Sequence, residues 1–349
     1  MDNTIAISTL PLVPSSSVIK NENEVISYWK KLINDWGLPR HINHFPGSHP
    51  VNIERKDISF LENNKNDFLA SLKSDGVRYV LYMTFRPGTK DPVSILIDRS
   101  KNMYEIEVWA PESYYNGTIL DGELVWNLPD NQTCTYLVFD VILSQGKSYK
   151  NSSYDIRLKK IEDILFTNDM DISIEEIEDV LEENDKIVSV NNRYNLSFRP
   201  KKFTSLNTLD TLWEERHKIF YRQDGIIFNK VSESLKVGSD NKTFKWKPSY
   251  SIDVVIKNGS IYANDFTNNS LVEVKTIRNK DIFLVKNKVV FEEGDIVECD
   301  VYIKNNIFHL FPMRKRKDKD KPNILKTIDS TCTCIEDMID VAELVKIFC

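Results

Sequence analysis

Lys73 stands in the run Lys73-Ser74-Asp75-Gly76-Val77-Arg78, which opens onto the apolar stretch Tyr79-Val80-Leu81-Tyr82-Met83. These residue types at this spacing can do nucleophilic chemistry. An acid and a glycine shape a chain reversal beside the lysine, and an arginine lies on the first residues of the strand that follows. An amine held against other cations has its charged form disfavoured, so its pKa falls and it can attack an electrophile. The same six residues also suit a plain surface turn between two strands, and the rest of the chain must decide.

Four further groups bear on that decision. Asp121-Gly122-Glu123 continues the strand-like run Thr118-Ile119-Leu120 into Leu124-Val125-Trp126. Acids in such a run face a solvated cleft or a metal, because burying an unpaired charge is costly; exposed acids at a hairpin turn are the plain alternative. Phe139 and Asp140 sit in the apolar strand Tyr136–Ile142, where the ring can fill a core or stack on a base. Asp224-Gly225 opens the strand Ile226-Ile227-Phe228, and its acid can meet a divalent cation or simply turn the chain. In Lys245-Trp246-Lys247-Pro248 the two lysines share one side of a strand, repelling each other unless an anion such as phosphate lies between them. A last cluster, Arg314 to Lys321, is the densest basic stretch of the chain, suited to phosphate or to a basic surface loop.

The elements that must position these groups follow from periodicity. Val25, Trp29, Leu32, Ile33 and Trp36 predict a packing helix over 22–36, after a loose arm over 1–20. Phe45-Pro46-Gly47-Ser48-His49-Pro50-Val51 reads as an extended, turning loop ahead of the lysine. A short helix near 58–61 and a strand start near 68–72 lead to Lys73. Strands at 78–85, 93–98, 104–109, 118–126 and 135–143 carry no long helical pattern between them, so the sheet they form is antiparallel rather than a βαβ array. Helical patterns at 155–166, 173–183 and 206–216 make 150–215 a helical insertion, and Glu175 to Glu183 a solvated acidic face. Strands near 226, 252–257, 270–276, 281–292 and 297–304 point to a small OB-type barrel, and a final helix spans about 332–347. The fold class is therefore α+β, with domains at 1–247 and 248–330 and a C-terminal helical segment, 331–349, that can pack back on the first domain.

Composition sets limits. The 349 residues are 41% hydrophobic and 28% charged, with a net charge of −6, so a nucleic-acid partner must use a local basic patch. Five cysteines show no zinc spacing and fit free thiols in a reducing compartment. The Asn-x-Ser/Thr sequons read as chance in an Asn-rich chain without a signal peptide. No apolar run has the length of a membrane span, so a soluble, intracellular protein is expected.

Taken together and in order, these motifs resemble the mRNA capping guanylyltransferases of the covalent lysyl-nucleotidyltransferase superfamily, which also holds DNA and RNA ligases. Lys73-x-Asp75-Gly76-x-Arg78 resembles the nucleophile motif, and Asp121-Gly122-Glu123, Phe139-Asp140, Asp224-Gly225 and Lys245-Trp246-Lys247-Pro248 resemble the motifs that follow it. Phe45-Pro46-Gly47-Ser48, Lys-Trp-Lys-Pro followed by Asp253, and Arg316-x-Asp318-Lys319-x-x-Pro322-Asn323 resemble the capping versions rather than the ligase ones. The resemblance covers roughly residues 45–325. It implies an antiparallel-sheet nucleotidyltransferase (ATP-grasp-like ligase) domain followed by a C-terminal OB-fold β-barrel domain.

It also implies a reaction and its parts. Lys73 attacks GTP, forming lysyl-N-GMP and releasing pyrophosphate; a 5′-diphosphate RNA then takes the GMP to give a GpppN cap. Lys245 and Lys247 would hold the α-phosphate and depress the Lys73 pKa. Arg78, Asp75 and Gly76 would lie at the nucleotide, and Phe139 would stack on guanine. Glu123 and Asp224 would serve the ribose and a divalent metal, Mg2+ or Mn2+. Arg316 and Lys319 would reach the β- and γ-phosphates on domain closure, with Asp253 and Asp318 as phosphate- or metal-side partners. An ATP-dependent polynucleotide ligase forming lysyl-AMP is the alternative from the same superfamily, and a degenerate RNA-end- or polymerase-binding module the non-enzymatic one. No methyl-donor glycine fingerprint and no Cys-x5-Arg loop is present, so RNA triphosphatase and cap methyltransferase are expected on separate chains, with RNA polymerase a further partner. The Asn/Lys/Ile-rich composition suits an AT-rich viral or protist genome. Capping then takes place in a nucleus for a cellular enzyme, and in cytoplasm or virion for one from a cytoplasmic virus.

Overall fold

The structure, a computed structural model, describes residues 13, 17–129, 131–165, 186–187, 196–265, 267–268, 270–316 and 319–349. The acidic stretch 175–183 and Asp318 lie outside the described residues, as does most of the N-terminal arm. The chain divides into two compact units, the first made of 1–51 and 66–244, the second of 52–65 and 245–349.

Helix α1 (Glu22–Trp36) opens the first unit. The Asn21 side chain accepts from the Asn23 and Glu24 amides, and Gly37 takes the left-handed turn at φ +70° that ends it. Its inward face is Tyr28, Leu32, Ile33 and Trp36. Val25 and Trp29, expected on that face, are only partly buried at its edge.

The strands that follow are β1 (Ser48–Asn52), then helix α2 (Ile58–Asn63), β2 (Phe68–Ser74), β3 (Val77–Phe85), β4 (Pro92–Ile97), β5 (Met103–Ile106), β6 (Thr118–Trp126), β7 (Cys134–Ser144) and β8 (Lys147–Ser148). Next come α3 (Tyr154–Ile164), β9 (Leu196–Pro200), β10 (Thr204–Ser205), α4 (Leu209–Glu214), β11 (Gln223–Lys230) and β12 (Gly238–Trp246). One sheet runs β5-β4-β3-β6-β7-β8, with β9 added parallel to β7; a second runs β1-β12-β11-β2-β10. The segment at 45–51, read as a loop, becomes strand from Ser48, and Pro50 is accommodated because β1 lies at the end of its sheet. The region read as a helical insertion contributes strands β9 and β10, whose short alternating runs carry too few residues for a clear period.

Strand β3 is the spine of the first unit. Tyr79, Leu81 and Met83 point into one core with Leu120, Tyr136 and Phe198. Val80 and Tyr82 point into another beneath α1 with Leu32, Trp36 and Ile95. All five residues from Tyr79 to Met83 are fully buried. Each such side chain contributes roughly 1.5–3 kcal/mol of transfer free energy, so β3 is fixed far more firmly than a surface strand.

The second unit holds β13 (Ser251–Lys257), β14 (Ser260–Asp265), β15 (Ser270–Glu273), β16 (Thr276–Ile277), β17 (Lys280–Leu284), β18 (Ile296–Lys304), β19 (Ile307–Lys315), and helices α5 (Leu325–Asp337) and α6 (Val341–Phe348). Its sheet runs β15-β14-β13-β18-β19-β17-β16, with the β17–β19 pair parallel. It is the expected OB-fold. Alternate residues Ile252, Val254, Ile256, Val297, Cys299, Val301, Phe308 and Leu310 fill its interior, closed by Ile328 and Cys332 of α5. The strand expected over 281–292 stops at Leu284; just beyond it the Asn287 side chain accepts from the Val289 amide and donates to the Pro312 carbonyl, a local turn in place of a ladder. Residues 52–65 belong to this unit. The Ile53 amide donates to the Lys245 carbonyl at 3.0 Å, the Arg55 amide to Asp337 at 2.6 Å, and Arg55 pairs with Glu343. The C-terminal stretch is thus two helices tied to this excursion.

Candidate active site

The nucleophile-type motif is the corner between the two sheets of the first unit. Lys73 lies one residue from the end of β2, Asp75 and Gly76 turn the chain, and Arg78 enters β3 in the other sheet. Gly76 is required by space, because a Cβ there would collide with the Leu124 carbonyl oxygen. Asp75 is exposed, and its amide donates to the Arg222 carbonyl at 2.8 Å.

A β-bulge places Asp224 against the lysine. Strand β11 pairs with β2 through Gln223–Ser74 and Ile226–Leu72, so two residues, Asp224 and Gly225, stand opposite Lys73 alone. Bulges re-aim side chains in this way. Lys73 Nζ donates to Asp224 Oδ1 at 2.6 Å. Burial pulls the Lys73 ammonium down, but Asp224, Glu123 and Asp75 more than offset it and hold it above its ordinary value. Within the first unit, these carboxylates outweigh burial at the Lys73 amine; Lys245 and Lys247, expected to depress it, belong to the second unit.

Arg78 is locked. It donates to Asp121 in a fork, Nε to Oδ1 at 2.9 Å and Nη2 to Oδ2 at 2.5 Å, and also to the Ser48 carbonyl. Asp121, expected at a solvated cleft or metal, is instead the buried partner of this arginine. The guanidinium sits between the Phe45 and Phe139 rings, 5.3 Å from each centroid. Gly47 is needed here, since a Cβ would strike both Arg78 and Phe45. Phe139 reaches this place through a second bulge. Asp121 pairs with Asp140 and Gly122 with Val138, leaving Phe139 out of register. Asp140 turns away to Arg157, at 2.7 Å.

Lys73, Arg78, Glu123 and Phe139 line a single cavity of about 170 Å³. Sequence reasoning missed Lys201, which lines it too. Its Nζ donates to Ser74 Oγ at 3.1 Å, and Ser74 Oγ donates in turn to Glu123. Burial, with Lys73 and Arg78 adding repulsion, pushes Lys201 down to about 8 against the pull of Glu123 and Asp224. The sequence signal was faint: a lysine directly after Pro200, where a short strand ends.

In the second unit Asp253 gathers the basic residues. Its carboxylate accepts from Arg316 Nη1 at 2.9 Å and from Lys319, while its backbone exchanges hydrogen bonds with Asn323. Arg316 and Lys319, with Lys315 and Lys321, line a cavity of about 640 Å³. Lys245 and Lys247 flank the buried Trp246, whose indole donates to the Ile339 carbonyl at 2.8 Å. The structure thus gathers Lys73, Arg78, Glu123, Phe139 and Asp224 in the first unit. It sets Lys245, Lys247, Asp253, Arg316 and Lys319 in the second.

A largely antiparallel fold turning on a strand-end lysine, followed by an OB-fold, is the architecture of a nucleotidyltransferase. Residues 12–249 match the family model of the mRNA capping enzyme catalytic domain, and 207–345 that of the capping enzyme C-terminal domain. The chain belongs to the mRNA capping enzyme family. It is 28% identical over 333 residues to the mRNA-capping enzyme subunit alpha of Schizosaccharomyces pombe, covering 86% of this chain and 79% of that one. It is 26% identical over 275 residues to the mRNA-capping enzyme subunit alpha of Kluyveromyces lactis, covering 74% of this chain and 55% of that one. With the Mus musculus mRNA-capping enzyme it shares 23% over 314 residues, 84% of this chain and 48% of the mouse protein. The chain therefore spans about half the length of the last two relatives. Among solved structures, a mycobacterial DNA ligase D complexed with ATP and MES superposes with a TM-score of 0.40 at 11% identity, over 78% of this chain and 95% of that one. Among the described residues no helix is long and apolar enough to cross a membrane.

Proposed function

We propose that the chain is a GTP:RNA guanylyltransferase that works through a lysyl-N-GMP intermediate on Lys73. The observation that carries this reading is the strand-end Lys73 amine, aimed into a cavity with Arg78, Glu123 and Phe139 and held by Asp224. In the first step Lys73 Nζ forms a bond to the α-phosphorus of GTP, the bond to the β-phosphate oxygen breaks, and pyrophosphate leaves. The ammonium must first lose a proton, and Asp224, already accepting from Nζ, is placed to take it. In the second step a β-phosphate oxygen of a 5′-diphosphate RNA attacks the same phosphorus and Lys73 departs. Charge spreads over the phosphoryl oxygens, so fixed cations lower the barrier. We assign this to Lys245, Lys247, Arg316 and Lys319, with Phe139 against the base. Asp75, Gly76, Asp253 and Asp318 complete the nucleotide-binding set, with Asp253 acting by holding Arg316 and Lys319.

Glu123 and Asp224 suit a Mg2+ or Mn2+ ion, which characteristically takes one or two carboxylates and completes its shell with phosphate oxygens and water. Among the described residues no cluster of three or more His, Cys, Asp or Glu forms a cage from protein alone. Bound there, the ion would supply charge neutralisation at the phosphates. The diphosphate RNA end requires a triphosphatase activity upstream and the cap a methyl transfer downstream, and the reaction belongs wherever transcripts are being made.

The test is covalent labelling. The chain is incubated with α-labelled GTP or ATP and Mg2+ or Mn2+, then run on a denaturing gel. Label is expected from GTP, abolished in Lys73→Ala and slowed in Arg316→Ala. Label from ATP alone would make the chain a ligase, and label surviving in Lys73→Ala would remove Lys73 from its role.

A further inference from the structure

Two lysines line the cavity of the first unit, and they are held by different kinds of acceptor. Lys73 Nζ donates straight to a carboxylate, Asp224 Oδ1, at 2.6 Å. Lys201 Nζ donates at 3.1 Å to a hydroxyl, Ser74 Oγ, which in turn donates to Glu123 Oε2. Among the described residues no ion pair joins Lys201 to Glu123 directly. The direction of these bonds is fixed, because an ammonium only donates, a carboxylate only accepts, and a hydroxyl does both.

Ser74 is fully buried at the end of β2. Glu123 comes from β6, opposite Arg78 on one side and Leu137 on the other. Lys201 follows β9, its amide on the Val138 carbonyl at 2.8 Å. Gly76 closes on Glu123 as well, since a Cβ there would come to 3.0 Å from Glu123 Cγ. One hydroxyl therefore ties together a cation and an anion carried by separate strands.

The interposed hydroxyl leaves capacity unused on both charges. Lys201 gives one N–H to Ser74 and lies 5.8 Å from the Phe139 ring centroid, so two N–H groups remain. Glu123 Oε1 receives no donor among the described residues. With an apolar residue at position 74, the ammonium and the carboxylate could close on each other as Lys73 and Asp224 have done. Each would then satisfy the other, and neither would be offered to a ligand. The two lysines already differ in this way: Lys73, on its carboxylate, stands above its ordinary value, while burial pushes Lys201 down to about 8.

We propose that Ser74 is a positioning residue for the bound nucleotide, its hydroxyl keeping Lys201 and Glu123 from pairing with each other and holding both available to the cavity. That the ligand is a nucleotide rests on the reading above; the separation of the two charges does not.

The test begins without GTP or metal. The full chain is treated with an amine-reactive reagent across a range of pH, and modification of Lys201 is read by mass spectrometry. In Ser74→Ala the two charges meet, and the Lys201 midpoint is expected to rise by about one unit or more, from about 8 toward the ordinary 10.5. In Ser74→Ala/Glu123→Gln no carboxylate remains to meet, and no rise is expected. A hydroxyl with a merely structural role would lower the thermal midpoint of Ser74→Ala without raising that of Lys201 titration. That outcome would overturn the proposal, as would an equal rise in the double variant. In single-turnover labelling, Ser74→Ala is expected to need at least about tenfold more GTP for half-maximal rate, and an unchanged requirement would remove the positioning role. A wild-type chain that takes no label from GTP, while Ser74→Ala shows the Lys201 shift, would sink the guanylyltransferase reading and leave the separation of charges standing.

Discussion

Lys73 and Asp224 are joined across a β-bulge, the lysine Nζ 2.6 Å from the Asp224 carboxylate. The pair sets the resting state of the site, an ammonium held charged by its neighbours rather than a free amine. The proposed attack requires that this arrangement loosen. Anything that draws Asp224 away, or brings cations up to Lys73, favours the neutral nucleophile.

Asp224→Asn removes that carboxylate while keeping the shape of the side chain. The largest influence holding the ammonium charged is then lost, and the Lys73 pKa is expected to fall. The check is the pH dependence of Lys73 modification by an amine-reactive reagent, read by mass spectrometry. A midpoint unmoved or raised would show that Asp224 does not control the amine. Adduct formation is expected to drop in the same variant, since the proposed proton acceptor and proposed metal ligand are lost together.

Arg78 and Asp121 are buried together at 8% and 2% side-chain exposure. Removing one partner strands the other, so Asp121→Asn is expected to cost about 3–5 kcal/mol in denaturant unfolding. The double variant Arg78→Met/Asp121→Leu is expected to recover most of that, because a desolvated pair is replaced by apolar packing. GTP labelling is not expected to recover with it. If the double variant regained full labelling, Arg78 would be structural only.

Lys201 makes a pH-dependent contribution of defined sign. Its folded pKa of about 8 lies below the ordinary 10.5, so between those values the unfolded chain binds more protons. Stability attributable to Lys201 therefore rises as pH climbs through that window, and below about 8 its penalty is fully present. The difference in unfolding free energy between wild type and Lys201→Met is expected to shift by about 3 kcal/mol in favour of wild type from pH 8 to 10.5. Parallel curves for the two proteins would show that Lys201 titrates normally.

Much of the site could be read directly. The run from Lys73 to Arg78, the acids at 121–123 and 224, and the strands around them carry local signatures of residue type and a period of two. The strands at 77–85 and 118–126 fall within a residue of where alternation puts them. The strands at 260–265 and 307–315 lack such a signature, since short alternating runs among charged residues carry little contrast. Residues 52–65 join the second unit through hydrogen bonds to residues far along the chain, and no local pattern announces that.

The sequence by itself determined the chemistry available: a lysine at a turn, carboxylates and aromatics on strands, and a basic segment near the end. Only the tertiary structure decided what that chemistry faces. Asp224 meets Lys73, and Phe139 meets Arg78, because two strands slip by one residue against partners distant in sequence. Asp121 is a partner for Arg78 rather than a metal ligand because both are sealed from water. Lys201 joins the site because β9 pairs with β7 and the Lys201 amide continues that pairing to the Val138 carbonyl, and burial there makes its charge expensive. Register and desolvation belong to pairs and clusters of residues, so they come into being only when the chain has closed on itself.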